Sequence, residues 1–136
     1  MAKIRAMMGG GGSQPTETTL WTNTSPSADF TATTVTLSES IQNFDYIKVM
    51  YKFNKSDSDS TAVGDMMTVA DFVYCSTSSA VKQKLFLGAK LDNYSNARSV
   101  IYNTNTKIDI GNSTRVNQSG QNNAYTIPIK IVGIKY

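Results

Sequence analysis

Aspartates are the residues of this sequence that could carry out acid–base chemistry. The chain contains no His and a single Cys, Cys75, which excludes His-based triads, His-ligated metals and a Cys–His nucleophile. The aspartates that could act together are Asp57 with Asp59, Asp65 with Asp71, and Asp92 with Asp109. Two carboxylates at a suitable separation hydrolyse glycosidic bonds, and the Ser-rich loop around Asp57 and Asp59 could offer oxygens to Ca²⁺.

The same acids are explained without chemistry, because solvated loops and turns commonly carry Asp. Motifs that cradle phosphate or build a nucleophile elbow (GxxxxGK[ST], GxGxxG, GxSxG) do not occur in the sequence. We therefore expect a protein that is not an enzyme, with no catalytic residue, no metal and no cofactor. The paired acids leave one alternative open, a carbohydrate-binding or glycan-hydrolysing domain.

Aromatic side chains are the second group that could form a binding surface, because an aromatic face contacts a ligand without needing charge. Tyr51 lies on the apolar face of a predicted strand and is expected in the core. The better candidates for surface contact lie near predicted loops or at the start of the domain: Trp21, Tyr94, Tyr102 and Tyr125. Such residues would suit a partner protein or a host-surface glycan.

The charge distribution argues against nucleic acid as a partner. The net charge is +3 and the pI is about 9.0, but the Lys and Arg residues are scattered singly rather than clustered around stacking aromatics. A basic barrel that binds single strands is a third alternative, and it would show steep salt dependence. No apolar run approaches the ~20 residues of a membrane span, so no membrane partner is expected.

The composition predicts a single domain with little helix. The chain has 136 residues, of which Ser, Thr and Asn make up 42. These residues favour turns or, for Thr, strands, and they weaken helix interiors. A chain of this length forms one domain with an adequate core. We place that domain at residues 15–136.

Residues 1–14 differ from the rest and predict an attachment segment. A basic, Met-rich stretch is followed by Gly9–Gly12, which has no side chains to pack and behaves as a flexible tether. The stretch is too short for a secretory signal, so we expect synthesis in a cytoplasm. A disordered tail or an expression remnant would look the same. The residues expected to attach are Lys3, Ile4, Arg5, Met7 and Met8.

From residue 16 onward the pattern predicts strands. The strand-like segments are 18–22, 30–37, 45–53, 64–74, 82–91, 98–102, 107–111 and 125–136. In segment 45–53, Ile47, Val49, Tyr51 and Phe53 share one face, whereas Lys52 belongs to the half-wet face. About eight strands without a convincing helix predict an all-β antiparallel sandwich, jelly-roll-like in architecture.

The last segment carries two further signals. Ile127, Ile129 and Ile131 are predicted to share a face, and a change of phase at Gly133 predicts a bulge there. Pro128 cannot donate a ladder hydrogen bond, so it is expected at an edge or before pairing begins.

Three stretches of the sequence resemble small virion proteins of tailed bacteriophages. They are Leu20-Trp21-Thr22-Asn23-Thr24-Ser25-Pro26, Asn43-Phe44-Asp45-Tyr46-Ile47-Lys48-Val49, and Ile127-Pro128-Ile129-Lys130-Ile131-Val132-Gly133-Ile134-Lys135. The likeness covers roughly residues 16–136 and rests on structural motifs, so it assigns no active site.

The resemblance implies a structural protein of the virion. Proteins of this kind serve as tail-tip or fibre components or as head-decorating fibres, often as homotrimers. The implied partners are other virion proteins of the capsid or tail and further copies of the chain, with host-surface glycan as an additional partner. Head and tail locations both remain open, and the implied localisation is the virion after synthesis in the host cytoplasm.

Overall fold

The protein is an all-β sandwich of two antiparallel four-stranded sheets. A computed structural model describes residues 14–70, 83–91, 94–117 and 120–136, and eight strands lie within these ranges. The strands are β1 (Thr16–Thr22), β2 (Thr33–Thr36), β3 (Tyr46–Asn54), β4 (Val63–Thr68), β5 (Lys84–Leu91), β6 (Tyr94–Thr104), β7 (Lys107–Arg115) and β8 (Tyr125–Lys135). Short 3₁₀ turns cover Ile41–Asn43 and Asp59–Thr61. The predicted fold class is confirmed.

Pairing between strands from the two ends of the chain gives the sandwich its rolled topology. The first sheet has the order β1-β8-β3-β4 and the second has β2-β7-β6-β5. The first strand pairs with the last, and the second pairs with the last but one, as in a rolled hairpin. β3 pairs with both β8 and β4, and β6 pairs with both β7 and β5.

The antiparallel register gives the sandwich two distinct ends. At the termini pole, Thr16 pairs with Lys135, and the Asn105–Thr106 turn between β6 and β7 lies at the same end. At the loop pole lie the connections at 23–32, at 55–62 and between β7 and β8. The chain therefore enters and leaves the domain at the end opposite to these three loops.

The predicted alternation of buried and half-buried side chains in β3 is confirmed over residues 46–51. Lys52 and Phe53, near the end of the strand, depart from it. Ile47, Val49 and Tyr51 are buried in the core. Phe53 shares their face, since its ring lies 6.1 Å from that of Tyr51, but it is 38% exposed because it sits at the strand end. The prediction that Lys52 is half exposed is wrong: its side chain is 1% exposed, because loop 55–62 covers it and bonds its Nζ.

The bulge in β8 lies at Ile129, and the prediction of a bulge at Gly133 is wrong. The register on β3 slips between Met50 and Tyr51, which leaves Ile129 without a partner. The glycine at position 133 is explained by packing and not by a bulge. A Cβ at this position would lie 2.5 Å from the Phe44 ring, so the glycine is required by close packing.

Because of this bulge, the isoleucines of β8 do not share a face. Ile131 pairs with Val49 on the core side, whereas Ile127 pairs with Lys52 on the outer side. Pro128 lies past the last β1 partner of β8, which is Lys130. Pro128 still pairs with Tyr51 of β3, so the expectation of an edge or a position before pairing begins holds only on the β1 side of β8.

Of the remaining strands, β2, β4, β6 and β7 differ most in length from the prediction. β2 covers only Thr33–Thr36 of the predicted segment 30–37. β4 ends at Thr68, because Val69 and Ala70 have helical backbone; the rest of that predicted strand, 71–74, lies outside the described residues. β6 and β7 are longer than predicted and run through polar residues. The buried Arg98 of β6 is tolerated because backbone carbonyls bond its guanidinium, and Ser113 of β7 because its hydroxyl accepts from Thr126 Oγ1.

The apolar core lies between the sheets and is drawn from both. Its buried members include Leu20, Val35, Ile41, Phe44, Ile47, Val49, Met67, Leu87, Val100, Tyr102, Ile108, Ile110 and Ile131. Within the described ranges, no helix has the length and hydropathy needed to cross a membrane.

Candidate functional site

Buried polar side chains concentrate towards the loop pole. Asn96, Arg98, Ser113 and Thr126 are each at most 2% exposed. Buried polar groups are normally held by hydrogen bonds, because an unpaired one costs free energy. The partners of these groups therefore identify what fixes the loops.

The Arg98 guanidinium binds four carbonyls and so connects three segments of backbone around the loop pole. Nε donates to the Thr126 carbonyl at 2.8 Å, and Nη1 donates to the carbonyls of Phe30 at 2.8 Å and Gly111 at 2.6 Å. Nη2 donates to the Tyr125 carbonyl at 3.0 Å, and the Phe30 ring lies 5.2 Å from the guanidinium carbon. Burial lowers the pKa of Arg98 to about 10, so the group stays charged at neutral pH.

The loops at this pole are also bonded directly to one another. Lys55 Nζ lies 2.6 Å from Asp29 Oδ1, which joins loop 55–62 to loop 23–32. The Lys55 N–H donates to the Ala124 carbonyl at 2.8 Å, and the Phe30 N–H donates to the Asn123 carbonyl at 2.9 Å. Each of the three connections is thus held by the other two, and they form one ordered surface.

Asparagine amides and a strained threonine complete this end. Asn112 Oδ1 accepts from the Ala32 N–H at 2.8 Å and from Asn123 Nδ2 at 3.1 Å. Thr126 has φ 52°, a region costly for a β-branched residue. Its hydroxyl donates to Ser113 Oγ at 2.9 Å, so tertiary contacts hold the strained backbone.

The loop acids are engaged by the protein itself. Asp59 Oδ1 accepts from the buried Lys52 Nζ at 2.8 Å, and the Asp57 carbonyl accepts from the same nitrogen at 2.9 Å. Asp57 Oδ2 accepts from the Asn54 N–H at 3.0 Å. These contacts fold loop 55–62 back over Lys52 and account for its burial.

The other acidic pairs and the metal hypothesis can be followed only in part. Asp71 and Asp92 lie outside the described residues, and Asp109 lies on the outer face of the second sheet. In the part of the chain that the structure describes, no group of three or more potential metal-ligating side chains comes together.

Of the four aromatic residues predicted as surface contacts, Tyr94 is the most exposed. It is 43% exposed, and the Arg115 guanidinium carbon lies 4.1 Å from its ring centroid. Trp21 is half-buried, with its ring edge-to-face on Phe30 at 6.1 Å. Tyr125 is half-buried at the start of β8.

The prediction of Tyr102 as a surface contact is wrong, because its side chain is fully buried. The short predicted strand 98–102 placed this residue at a strand end. In the longer β6, Tyr102 lies opposite Ile108 and shares the inward face with Val100 and Arg98. The expected attachment residues Lys3, Ile4, Arg5, Met7 and Met8 lie outside the described residues.

The sequence analysis did not predict the roles of Arg98 at the loop pole and Phe86 on the outer face of the second sheet. Arg98 was one of several scattered basic residues, and nothing local marks it as buried. Phe86 is 58% exposed on the outer face of the second sheet. A signal for it was present, because alternation in β5 assigns Leu85 and Leu87 to the buried face and so leaves Phe86 on the other.

Comparison with known proteins finds no match to this chain, either among protein-family models or among curated proteins.

Proposed function

We propose that the chain is a structural protein of a tailed-bacteriophage virion, displayed on the particle and anchored by residues 1–14. The observation that carries the proposal is that the termini and the three cross-bonded loops lie at opposite ends of the domain. The chain enters β1 at Thr16 beside the end of β8, while the cross-bonded loops lie at the opposite pole. A domain held by its N-terminal segment would present the loop pole outward.

A binding role suits the chemistry of the described surface better than a catalytic one. Asp57 and Asp59 hold Lys52 and the backbone of their own loop, and these contacts give them a structural task. Arg98 bonds loop 23–32 through the Phe30 carbonyl, and the three loops are bonded to one another, an arrangement that favours a rigid surface. The same geometry serves a head fibre, a decoration protein or a tail component.

Removal of the tether tests the anchoring role. A chain lacking residues 1–12 keeps all of β1 and is expected to fold with an unchanged melting temperature but to be absent from purified particles. The matched control replaces Gly9, Gly10, Gly11 and Gly12 with Ser, which keeps the length and flexibility of the segment; it should assemble normally. Full occupancy of the truncated chain on particles would overturn the proposal.

We further propose that the displayed form is a homotrimer, as the resemblance to phage fibre and decoration proteins suggests. Light scattering of the purified chain should then give about three times the 14.8 kDa of one copy. A monomer at all concentrations would reject the trimer and leave any ordering to the lattice that the chain joins.

A further inference from the structure

A shallow trough crosses the outer face of the second sheet. Its volume is about 370 Å³, which lies at the lower end of the range for small-ligand sites. The residues that shape it are Ala32, Thr34, Ser99, Ile101, Asp109 and Gly111. They come from β6, β7, β2 and Ala32 directly before β2, so the floor belongs to the rigid part of the fold.

The trough exists because small residues meet at an irregularity between β6 and β7. The register shifts between Arg98 and Val100, which places Ser99 against Gly111. A Cβ on Gly111 would lie 2.5 Å from Ser99 Oγ. The absence of a side chain at Gly111 therefore keeps the floor open.

A carboxylate with a fixed orientation lies at the side of the trough. Asp109 Oδ1 accepts from Thr34 Oγ1 at 2.6 Å and from Asn103 Nδ2 at 3.0 Å. No hydrogen bond to Asp109 Oδ2 occurs within the described part of the chain. One oxygen thus orients the group, and the other can accept hydrogen bonds from a ligand.

An exposed aromatic ring lies beside the same floor. Phe86 pairs directly with Ser99 across β5 and β6, so the two side chains share the outer face. Lys84 Nζ lies 5.6 Å from the centroid of the Phe86 ring. On the other side along the strand is Gly88, and a Cβ there would meet nothing within 4 Å.

We infer that this trough binds a sugar ring of a surface glycan, an inference that rests on the proposed display function. A pyranose has an apolar C–H face, which would stack on Phe86, and hydroxyls, which would donate to Asp109 and bond Ser99. One carboxylate and one ammonium group flank the site, which favours a neutral, hydroxyl-rich ligand over an ion. Among the described residues, Asp109 is the one acid that lines the trough, and one acid supports binding rather than hydrolysis, because glycoside hydrolysis uses two carboxyl groups.

The test is an NMR titration of the isotope-labelled full chain with the methyl glycosides of glucose, galactose, mannose and N-acetylglucosamine. At least one sugar should shift the amide signals of Ser99, Ile101 and Gly111, with a Kd of about 1 mM. Phe86→Ala and Asp109→Asn should each weaken this binding at least ~10-fold, a loss of ~1.4 kcal/mol. Both positions are accessible to solvent, so the variants should remain folded.

Met66→Ala is the matched control, since Met66 is 48% exposed but lies on β4 of the other sheet; it should leave sugar binding unchanged. The inference fails if none of the four glycosides shifts the trough signals, or if Phe86→Ala binds as tightly as the parent chain. Failure here is distinct from failure of the display proposal. Phe86→Ala should still be incorporated into particles, whereas the chain lacking residues 1–12 should bind sugar but not be incorporated.

Discussion

The interior of the sandwich has two halves that are held together by different forces. Towards the termini pole, the inward row of the second sheet is Val35, Ile108 and Tyr102, all buried. Towards the loop pole, the corresponding row contains Ser113 and Arg98. The first half is stabilised by apolar burial, which has no directional requirement. The second depends on hydrogen bonds that must point correctly.

Because of this difference, the two halves should respond differently to substitution. An apolar half tolerates substitutions of similar volume, because packing can adjust. The polar half fixes the positions of three loops through carbonyls that each receive a specific donor, so loss of one donor exposes several acceptors. The weak point of this half is Asn96, which is 2% exposed and has no hydrogen-bond partner for either side-chain polar atom among the described residues.

The largest expected effect comes from removing the cation of the polar half. Arg98→Met keeps most of the side-chain volume but leaves the carbonyls of Phe30, Gly111, Tyr125 and Thr126 without this donor. We expect a loss of about 3–5 kcal/mol, as for a broken buried charge network. The free energy of unfolding from urea titration checks the value.

Arg115→Met is the control for that substitution, because Arg115 stacks on the exposed ring of Tyr94 instead of bonding carbonyls. Arg115→Met should lower the free energy of unfolding by about 1 kcal/mol or less. Equal effects at the two positions would show that the loop pole does not depend on Arg98.

A smaller effect is expected from overpacking the apolar half. Gly133→Ala places a methyl group against the Phe44 ring and should destabilise the protein by about 1–3 kcal/mol. Gly88→Ala, on a strand with open space above it, should change stability by no more than about 0.5 kcal/mol. Thermal unfolding of both variants tests the contrast, and a neutral Gly133→Ala would show that Phe44 moves aside freely.

The smallest expected effect lies where the two sheets are joined at their β3 and β5 strands. The Tyr51 hydroxyl donates to the Gly88 carbonyl at 3.0 Å and accepts from the Gly88 N–H at 3.3 Å. These two bonds satisfy the backbone of Gly88 at the edge of β5. Tyr51→Phe should therefore lower the free energy of unfolding by about 1–2 kcal/mol at neutral pH. Urea unfolding provides the measurement.

The same substitution has a defined pH dependence. Burial raises the pKa of Tyr51, an effect opposed by the Gly88 hydrogen bond and reinforced by the charge of Asp65. The unfolded chain therefore releases this proton first as the pH rises. The stability difference between the parent and Tyr51→Phe should be constant below about pH 10 and shrink above it. A difference that grows above that pH would contradict this assignment.

Local pattern was enough to predict the sandwich, the faces of β3 and the buried face of β5. It could not place the bulge of β8 at Ile129, because register depends on how β3 pairs. It also could not show that Lys52 and Arg98 are buried. Lys52 is covered by loop 55–62, and Arg98 is bonded by carbonyls of loop 23–32, β7 and β8. These acceptors come together only in the fold, so local pattern predicts exposure for both residues. Tyr102 was misplaced for a related reason, since polar residues hid the true length of β6.

The most direct test of the two-ended account is lysine labelling of the chain, free in solution and assembled on the particle, read out by mass spectrometry. Assembly should protect Lys3 in the attachment segment together with Lys107 and Lys135 near the termini pole. Lys55 and Lys90, which lie towards the loop pole, should react on the particle as they do in the free chain. Protection of Lys55 and Lys90 with full reactivity at Lys3 and Lys135 would show that the chain is attached by its loops, and would contradict the account.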